Sequence, residues 1–133
     1  MNSYQLEYVK ACKARLKKQV VAYEALTKTL KSRSALETFE PEFFNNLVLV
    51  LESYFMHRSR TIEGKDGNAA NEVRILCTSM LENDGLYTIE KVYKFKPEAT
   101  VLKLQPGDPI AIREKEFAAL ARAYFAEIER KFT

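Results

Sequence analysis

The polar residues between His57 and Arg74 are the part of this 133-residue sequence whose types could do chemistry. This polar segment follows a long apolar stretch and leads into a predicted helix that begins near Ala69. The first turn of a helix presents unpaired backbone N–H groups and the positive end of the helix dipole, which together favour an anion. A phosphate or carboxylate could bind there. The candidate ligand-binding residues are the basic and amide side chains Arg58, Arg60, Lys65, Asn68, Asn71 and Arg74.

The same polar segment has a structural interpretation, which we prefer. Its acidic side chains could simply pair with its arginines, so that the segment forms a salt-bridged corner between two buried helices. Gly64 and Gly67 would then serve only the backbone geometry of the turns. The pairing would join Arg58, Arg60 and Arg74 to Glu63, Asp66 and Glu72.

His57 is the only histidine in the chain and the one weak candidate for a catalytic residue. Histidine is the side chain whose ordinary pKa lies near neutral pH, so His57 could act as a general base. No nucleophile accompanies it, because Ser59 and Thr61 belong to no recognised motif and Cys77 lies on an apolar stripe. The sequence also lacks a P-loop and the GxGxxG, GxSxG and HExxH motifs. It therefore indicates a non-enzymatic protein more than an enzyme.

No metal or cofactor is expected from the sequence. Cys12 and Cys77 are far apart, no CxxC pair occurs, and a single histidine cannot complete a zinc site. The first residues, MNSYQLEYVK, lack the apolar core of a signal peptide. No stretch approaches the roughly 20 apolar residues of a membrane span. We therefore expect a cytoplasmic protein that does not bind a membrane.

Two helices are predicted to position the polar segment. The first runs from Pro41 to Ser59, is apolar on nearly every side, and has its proline where a first helical residue tolerates one. A connector over residues 32–40 would precede this helix. The second runs from Ala69 to Glu82 and would be N-capped by Asn68.

A long first helix is predicted from Ser3 to Ser32, about 45 Å long at 1.5 Å per residue. Its heptad-like stripe would extend beyond a small bundle and pack against a second copy, which predicts a homodimer. Residues 1–33 carry eight Lys or Arg against two Glu, although the whole chain carries only +3. Nucleic acid is an unlikely partner, because no aromatic residues alternate with the lysines. The stripe is Leu6, Val9, Lys13, Leu16, Val20, Tyr23, Thr27 and Leu30.

The remaining chain completes a mainly α fold. A small β-hairpin or extended excursion is predicted within residues 86–112, around the turn at Pro106 to Pro109. A last helix runs from Glu114 to Lys131. We expect one domain over residues 1–133, built as a four-helix antiparallel bundle. Bundles hold ligands between their helices, and the aromatic residues that could line such a cavity are Tyr54, Phe55, Tyr124 and Phe125.

The stretch HRSRTIEGKDGNAANEVRILC, from His57 to Cys77, resembles a segment of a group of small bacterial proteins. The stretch TVLKLQPGDPIAI is also similar, so that the resemblance covers about half the chain. It implies no activity, cofactor or catalytic residue. The residues themselves thus leave three functions open: an interaction or structural module that pairs through its first helix, a small-anion binder at the polar segment, and an enzyme that uses His57.

Overall fold

The structure is a computed structural model that describes residues 4–133, and it is mainly helical, with 64% of residues in helices. This confirms the predicted class. The described residues contain five α-helices and no β-strand, and one short 3₁₀ turn spans Pro97–Ala99. The helices are α1 (Leu6–Thr27), α2 (Arg33–Ser53), α3 (Arg60–Glu63), α4 (Ala69–Glu82) and α5 (Glu114–Phe132).

Helix α5 is the centre of the molecule, because it packs against each of the other four α-helices. Its sequence explains this position: large apolar residues recur every three or four positions and form one buried face. Fully burying each such side chain contributes about 2 kcal/mol. The buried face consists of Phe117, Leu120, Tyr124, Phe125, Ile128 and Phe132, close to the face that the sequence predicted.

Helix α2 begins eight residues earlier than predicted, and the expected connector over residues 32–40 is wrong. The side chain of Ser32 caps the helix by accepting a hydrogen bond from the N–H of Ala35 at 3.2 Å. Pro41 therefore lies inside α2, where it cannot donate to the carbonyl of Glu37. Arg113 Nη1 donates to that carbonyl at 3.2 Å instead. A distant side chain thus satisfies the carbonyl that the proline leaves free.

Helix α4 has the bounds that the sequence predicted. The side chain of Asn68 accepts a hydrogen bond from the N–H of Asn71 at 2.9 Å, so the predicted N-cap is also confirmed. Val73, Leu76 and Cys77 on this helix are buried. They pack towards α2 and α5, because α4 contacts both of these helices.

Helix α1 is shorter than predicted, and Ser3 lies outside the described residues. Its apolar stripe packs within the molecule: Val9, Leu16 and Tyr23 are buried in the common core. The ring of Tyr23 stacks on that of Phe43 of α2, with centroids 5.1 Å apart. Three of the eight stripe residues that were expected to meet a second copy are therefore already covered by this chain, and Leu6, Lys13 and Leu30 are exposed.

The predicted β-hairpin is wrong, since residues 86–112 form an irregular connection with one isolated antiparallel bridge, between Leu86 and Pro109. Backbone hydrogen bonds join residues 85–87 to residues 107–110 at its two ends, and helical side chains bind backbone groups elsewhere in the connection. The carboxylate of Glu72 accepts hydrogen bonds from two adjacent N–H groups, those of Val101 and Leu102, at 2.8 and 3.0 Å. These bonds hold the connection against α4.

The amide of Asn45 fastens the end of this connection to α2. It accepts a hydrogen bond from Ile112 N at 3.0 Å and donates one to Ile110 O at 2.8 Å. This pair of bonds copies the pattern by which one strand pairs with the next. Among the described residues, no helix is both long and apolar enough to span a membrane.

Candidate functional site: a buried ion-pair corner

The polar segment folds into a buried cluster of charges where the end of α2 meets α3, α4 and α5. We call this cluster the ion-pair corner. α2 contributes Glu52, the turn after it contributes Arg58, α3 contributes Glu63, α4 contributes Asn71 and Arg74, and α5 contributes Tyr124.

Arg58 is the centre of the corner and is only 3% exposed. Its Nε donates to Glu63 Oε1 at 2.9 Å, while its Nη1 and Nη2 donate to the two oxygens of Glu52 at 2.9 and 3.2 Å. Further bonds reach the Tyr124 hydroxyl and the carbonyls of Phe55 and Ala70. Burial lowers the pKa of Arg58, but Tyr124 and the two carboxylates raise it above its ordinary value. The guanidinium is therefore permanently charged.

Glu63 is the second buried member, and both of its oxygens are occupied. Arg74 donates to Oε1 through Nη2 at 2.5 Å and to Oε2 through Nε at 3.2 Å. Asn71 Nδ2 donates to Oε2 at 2.7 Å. Burial raises the pKa of Glu63, but the hydrogen bond from Arg74 and the charges of Arg58 and Arg74 lower it below its usual range.

The corner is chemically complete, because every buried side-chain N or O atom among residues 4–133 has a hydrogen-bond partner. Lys131 of α5 also donates to the backbone carbonyl of Glu63, at 2.8 Å. Two arginines face two glutamates, so the formal charges of these four residues balance. Removing one member of such a cluster would leave a buried charge without its partner.

The structure brings together only part of the predicted ligand-binding set. Arg58, Asn71 and Arg74 lie in the corner, where their donors are directed at Glu52 and Glu63. The other three candidates lie outside it: Arg60 and Lys65 are exposed, and Asn68 caps α4. Anion binding by these six residues stays a prediction, and their separation does not favour it.

Of the predicted pairings, the one between Glu63 and the arginines is present. Asp66 instead accepts from Asn68 Nδ2 at 2.7 Å, and Glu72 binds the backbone of the connection. His57 is exposed, and its side chain makes no hydrogen bond to any residue between 4 and 133. Its general-base role stays a prediction, without a carboxylate that would orient the imidazole.

Sequence reasoning missed two members of the corner, Glu52 and Tyr124. Glu52 is the only charged residue between Phe43 and Met56, and a lone charge in an apolar helix requires a buried partner. That signal could have identified it. Tyr124 gave no comparable signal, because its position on the apolar face of α5 suits any aromatic residue.

The aromatic residues proposed to line a cavity pack mostly on one another. Phe55 lies 6.0 Å from both Tyr124 and Phe125, measured between ring centroids. Of these four rings, that of Phe125 borders a groove between α1 and α5. Within residues 4–133, no group of three His, Cys, Asp or Glu side chains is arranged to hold a metal ion.

Helix α1 carries an uncovered apolar surface beside its basic residues. We define the outer face of α1 as Ala14, Lys18, Val21, Ala22 and Ala25, all of which are exposed. At the end of this face, Leu26 is exposed beside Phe39 of α2.

No protein-family model matches the chain, and comparisons with curated proteins and with solved structures also give no match. The resemblance of the polar segment to small bacterial proteins therefore stays an expectation. A function has to be argued from the geometry of the corner and of the surface.

Proposed function

We propose that the chain is a cytoplasmic, non-enzymatic interaction module that pairs with a second copy through the outer face of α1. The observation that carries this proposal is the continuous apolar surface of that face. Val21 and Leu26 are 51% and 53% exposed, and neighbouring Phe39 is 42% exposed. A surface of adjacent exposed apolar residues is typical of an interaction site.

The surface is continuous because its two shallow depressions share Ala22. One depression runs along α1 past Ala14, Val21 and Ala25, and the other lies between Leu26 and the α2 aromatics. Alanine side chains are short, so a second helix can approach the α1 backbone closely. A two-fold pairing would place the same face of each copy against the other.

The charges beside this face determine how the pairing should respond to salt. Lys17 and Lys18 are exposed along it, and a second copy would bring its own lysines within the same region. Like charges repel, and the repulsion is screened over about 10 Å at 0.1 M salt. Added salt should therefore strengthen the dimer, because apolar contact holds it together.

Sedimentation velocity over micromolar concentrations tests the pairing. The wild type should pass from monomer to dimer, and the double variant Val21→Glu/Leu26→Glu should stay monomeric. Leu81→Glu is the matched control, since Leu81 is 71% exposed on α4, outside this face, and should leave the dimer unchanged. A wild type that is monomeric at every concentration and salt level would reject the proposal.

Two further predictions, the antiparallel bundle and anion binding, stand as proposals as well. The predicted antiparallel bundle is supported for one pair of helices, because the ion pair between Lys13 and Glu129 joins the first half of α1 to the last part of α5. Anion binding at the polar segment is the alternative function; it predicts that phosphate raises the melting temperature and that Arg60→Ala or Arg74→Ala removes the rise.

A further inference from the structure

A groove runs between α1 and α5 and encloses about 570 Å³. Sites for small molecules have volumes of roughly 300–1,000 Å³, so the groove is large enough to hold one. It is distinct from the outer face of α1, because it borders the side of the helix that turns towards α5. Its lining residues are Lys13, Leu16, Lys17, Val20, Glu24, Glu114, Phe117, Ala118, Ala121, Arg122 and Phe125.

The floor of the groove is apolar and belongs to the core. Leu16 of α1 and Phe117, Ala121 and Phe125 of α5 are all buried, and Val20 packs against them. A floor made of core side chains is held in place by packing on its inner side. It can therefore receive an apolar chain without rearranging.

The charges of the groove are separated along its length. Lys13, Lys17 and Arg122 lie towards one end, and Glu24 and Glu114 lie at the other. Lys13 forms an ion pair with Glu129. Lys17 and Arg122 are exposed, and neither forms an ion pair with any residue of the described chain from Tyr4 to Thr133. These two cations are free to bind an anionic group.

We propose that the α1–α5 groove binds a single-chain amphiphile with an anionic head, a long-chain carboxylate. The head lies between Lys17 and Arg122, and the alkyl chain follows the floor towards Phe117. The acidic end sets the orientation, because the carboxylate of Glu24 repels that of the ligand.

The size of the groove favours this occupant over a protein. A partner helix or a second copy needs a surface of roughly 800 Å² per partner for a stable complex, which is far more than one narrow cleft supplies. The charges favour it as well, because cations at a single end match a ligand with one charged end. This inference needs no second copy, because the groove lies between α1 and α5 of one chain; among its lining residues, Lys17 also borders the outer face of α1.

The test is a titration with dodecanoate below its micelle concentration, followed by calorimetry. Binding should saturate at one ligand per chain, and decanoate should bind roughly fourfold to fifteenfold more weakly, because two fewer methylenes are buried. Dodecyltrimethylammonium, which has the same chain and the opposite charge, should bind at least about tenfold more weakly than dodecanoate. Equal binding of the two amphiphiles would overturn the proposal.

Three variants locate the site. Lys17→Glu should weaken dodecanoate binding at least about tenfold, whereas Lys18→Glu, on the outer face of the same helix, should change it less than twofold. Ala118→Trp should abolish binding by filling the groove; Ala118 is exposed, so the core is untouched. If the tryptophan variant does not fold by circular dichroism, Ala118→Leu replaces it.

Every other outcome rejects the site. If dodecanoate still binds the Ala118 variants, its binding site lies elsewhere. If the Lys17 and Lys18 variants lose dodecanoate affinity equally, the binding is non-specific adsorption. A change of oligomeric state in the Ala118 variants, without dodecanoate binding to the wild type, makes the groove an interface between copies. Binding to anionic vesicles without any response to free dodecanoate makes it a membrane contact.

Discussion

Arg58 shows why a buried corner needs arginine rather than any other cation. Its planar guanidinium directs donors at Glu52 and Glu63 at the same time, and further donors reach two backbone carbonyls. Lysine carries the same charge on a single nitrogen with three donors, so it cannot reproduce this fork. The identity of the residue, and not only its charge, therefore holds the corner together.

Arg58→Lys is expected to lower the free energy of unfolding by about 3 kcal/mol, because it leaves buried carboxylate oxygens without donors. Arg60→Lys is the matched control; Arg60 is exposed, so its replacement should change stability by less than about 0.5 kcal/mol. Urea unfolding of the three proteins measures both values. Equal stabilities of the two variants would show that the corner does not depend on the fork.

At the scale of elements, the turn between α3 and α4 depends on a glycine. Gly67 has φ of +87°, and a Cβ there would lie 2.8 Å from the carbonyl oxygen of Lys94. This oxygen belongs to the connection after α4, whose Lys94 N–H donates to the carbonyl of Lys65 at 2.9 Å. The glycine thus permits two irregular segments to touch.

Gly67→Ala should cost about 3 kcal/mol, of which about 1–2 kcal/mol comes from the left-handed backbone and the rest from moving the Lys94 backbone. Gly85→Ala separates the two effects, because Gly85 has φ of +77° but no atom within 4 Å of the added Cβ. Thermal and urea unfolding of both variants gives the comparison. A cost for Gly67→Ala no greater than that for Gly85→Ala would show that the close approach is unimportant.

The sequence alone was sufficient to predict the helices whose ends and buried faces are marked by their own residues. Helix α4 carries its own N-cap and α5 its own apolar face, and both were predicted almost to the residue. The start of helix α2 was not predicted correctly, because proline is typical of the first position of a helix and Pro41 therefore indicated a start there. The side chain of Arg113, which binds the Glu37 carbonyl that Pro41 leaves free, is 76 residues from Glu37 in sequence, and no local pattern could reveal that bond.

The contacts of the connection after α4 and those of Tyr124 in the corner escaped prediction for the same physical reason. The β-branched and apolar residues around Val101 and Ile110 suit a strand, but Glu72 and Asn45 bind their backbone groups from the helices. In the corner, the pairing of Glu63 with arginines was predicted, and Tyr124, which is 66 residues from Arg58, was not. Contacts between residues far apart in sequence depend on packing, which periodicity and spacing do not encode.

At the scale of the whole molecule, α2, α4 and α5 pack against one another as a core, and α1 packs against this core. Each of these three helices contacts the other two, and the corner joins them through Glu52, Arg74 and Tyr124. Helix α1 adds Val9, Cys12, Leu16 and Tyr23 to the core and leaves its other sides free. The proposed pairing surface and the proposed groove both lie on this outer helix for that reason.

The helices α1, α2 and α5 also meet at a group of carboxylates. Glu114 begins α5, and its N–H donates to Glu40 of α2 at 2.9 Å. Burial raises the pKa of Glu114, and the nearby Glu24 of α1 and Glu40 raise it further, to about 7. Folding therefore favours the protonated carboxyl. Its contribution to stability is complete below the unfolded-state pKa of about 4.3 and is lost as the pH rises through about 7.

Glu114→Gln should flatten this dependence, because glutamine keeps a neutral side chain at every pH. Wild-type stability should fall between pH 5 and pH 8, and at pH 8 the variant should be more stable by about 1 kcal/mol, a value reduced because Glu114 is partly exposed to solvent. Glu116→Gln, in the same turn of α5 and exposed, is the control and should follow the wild type. Urea unfolding at pH 5, 6, 7 and 8 measures all three proteins, and parallel curves for the wild type and Glu114→Gln would remove this carboxyl as the cause.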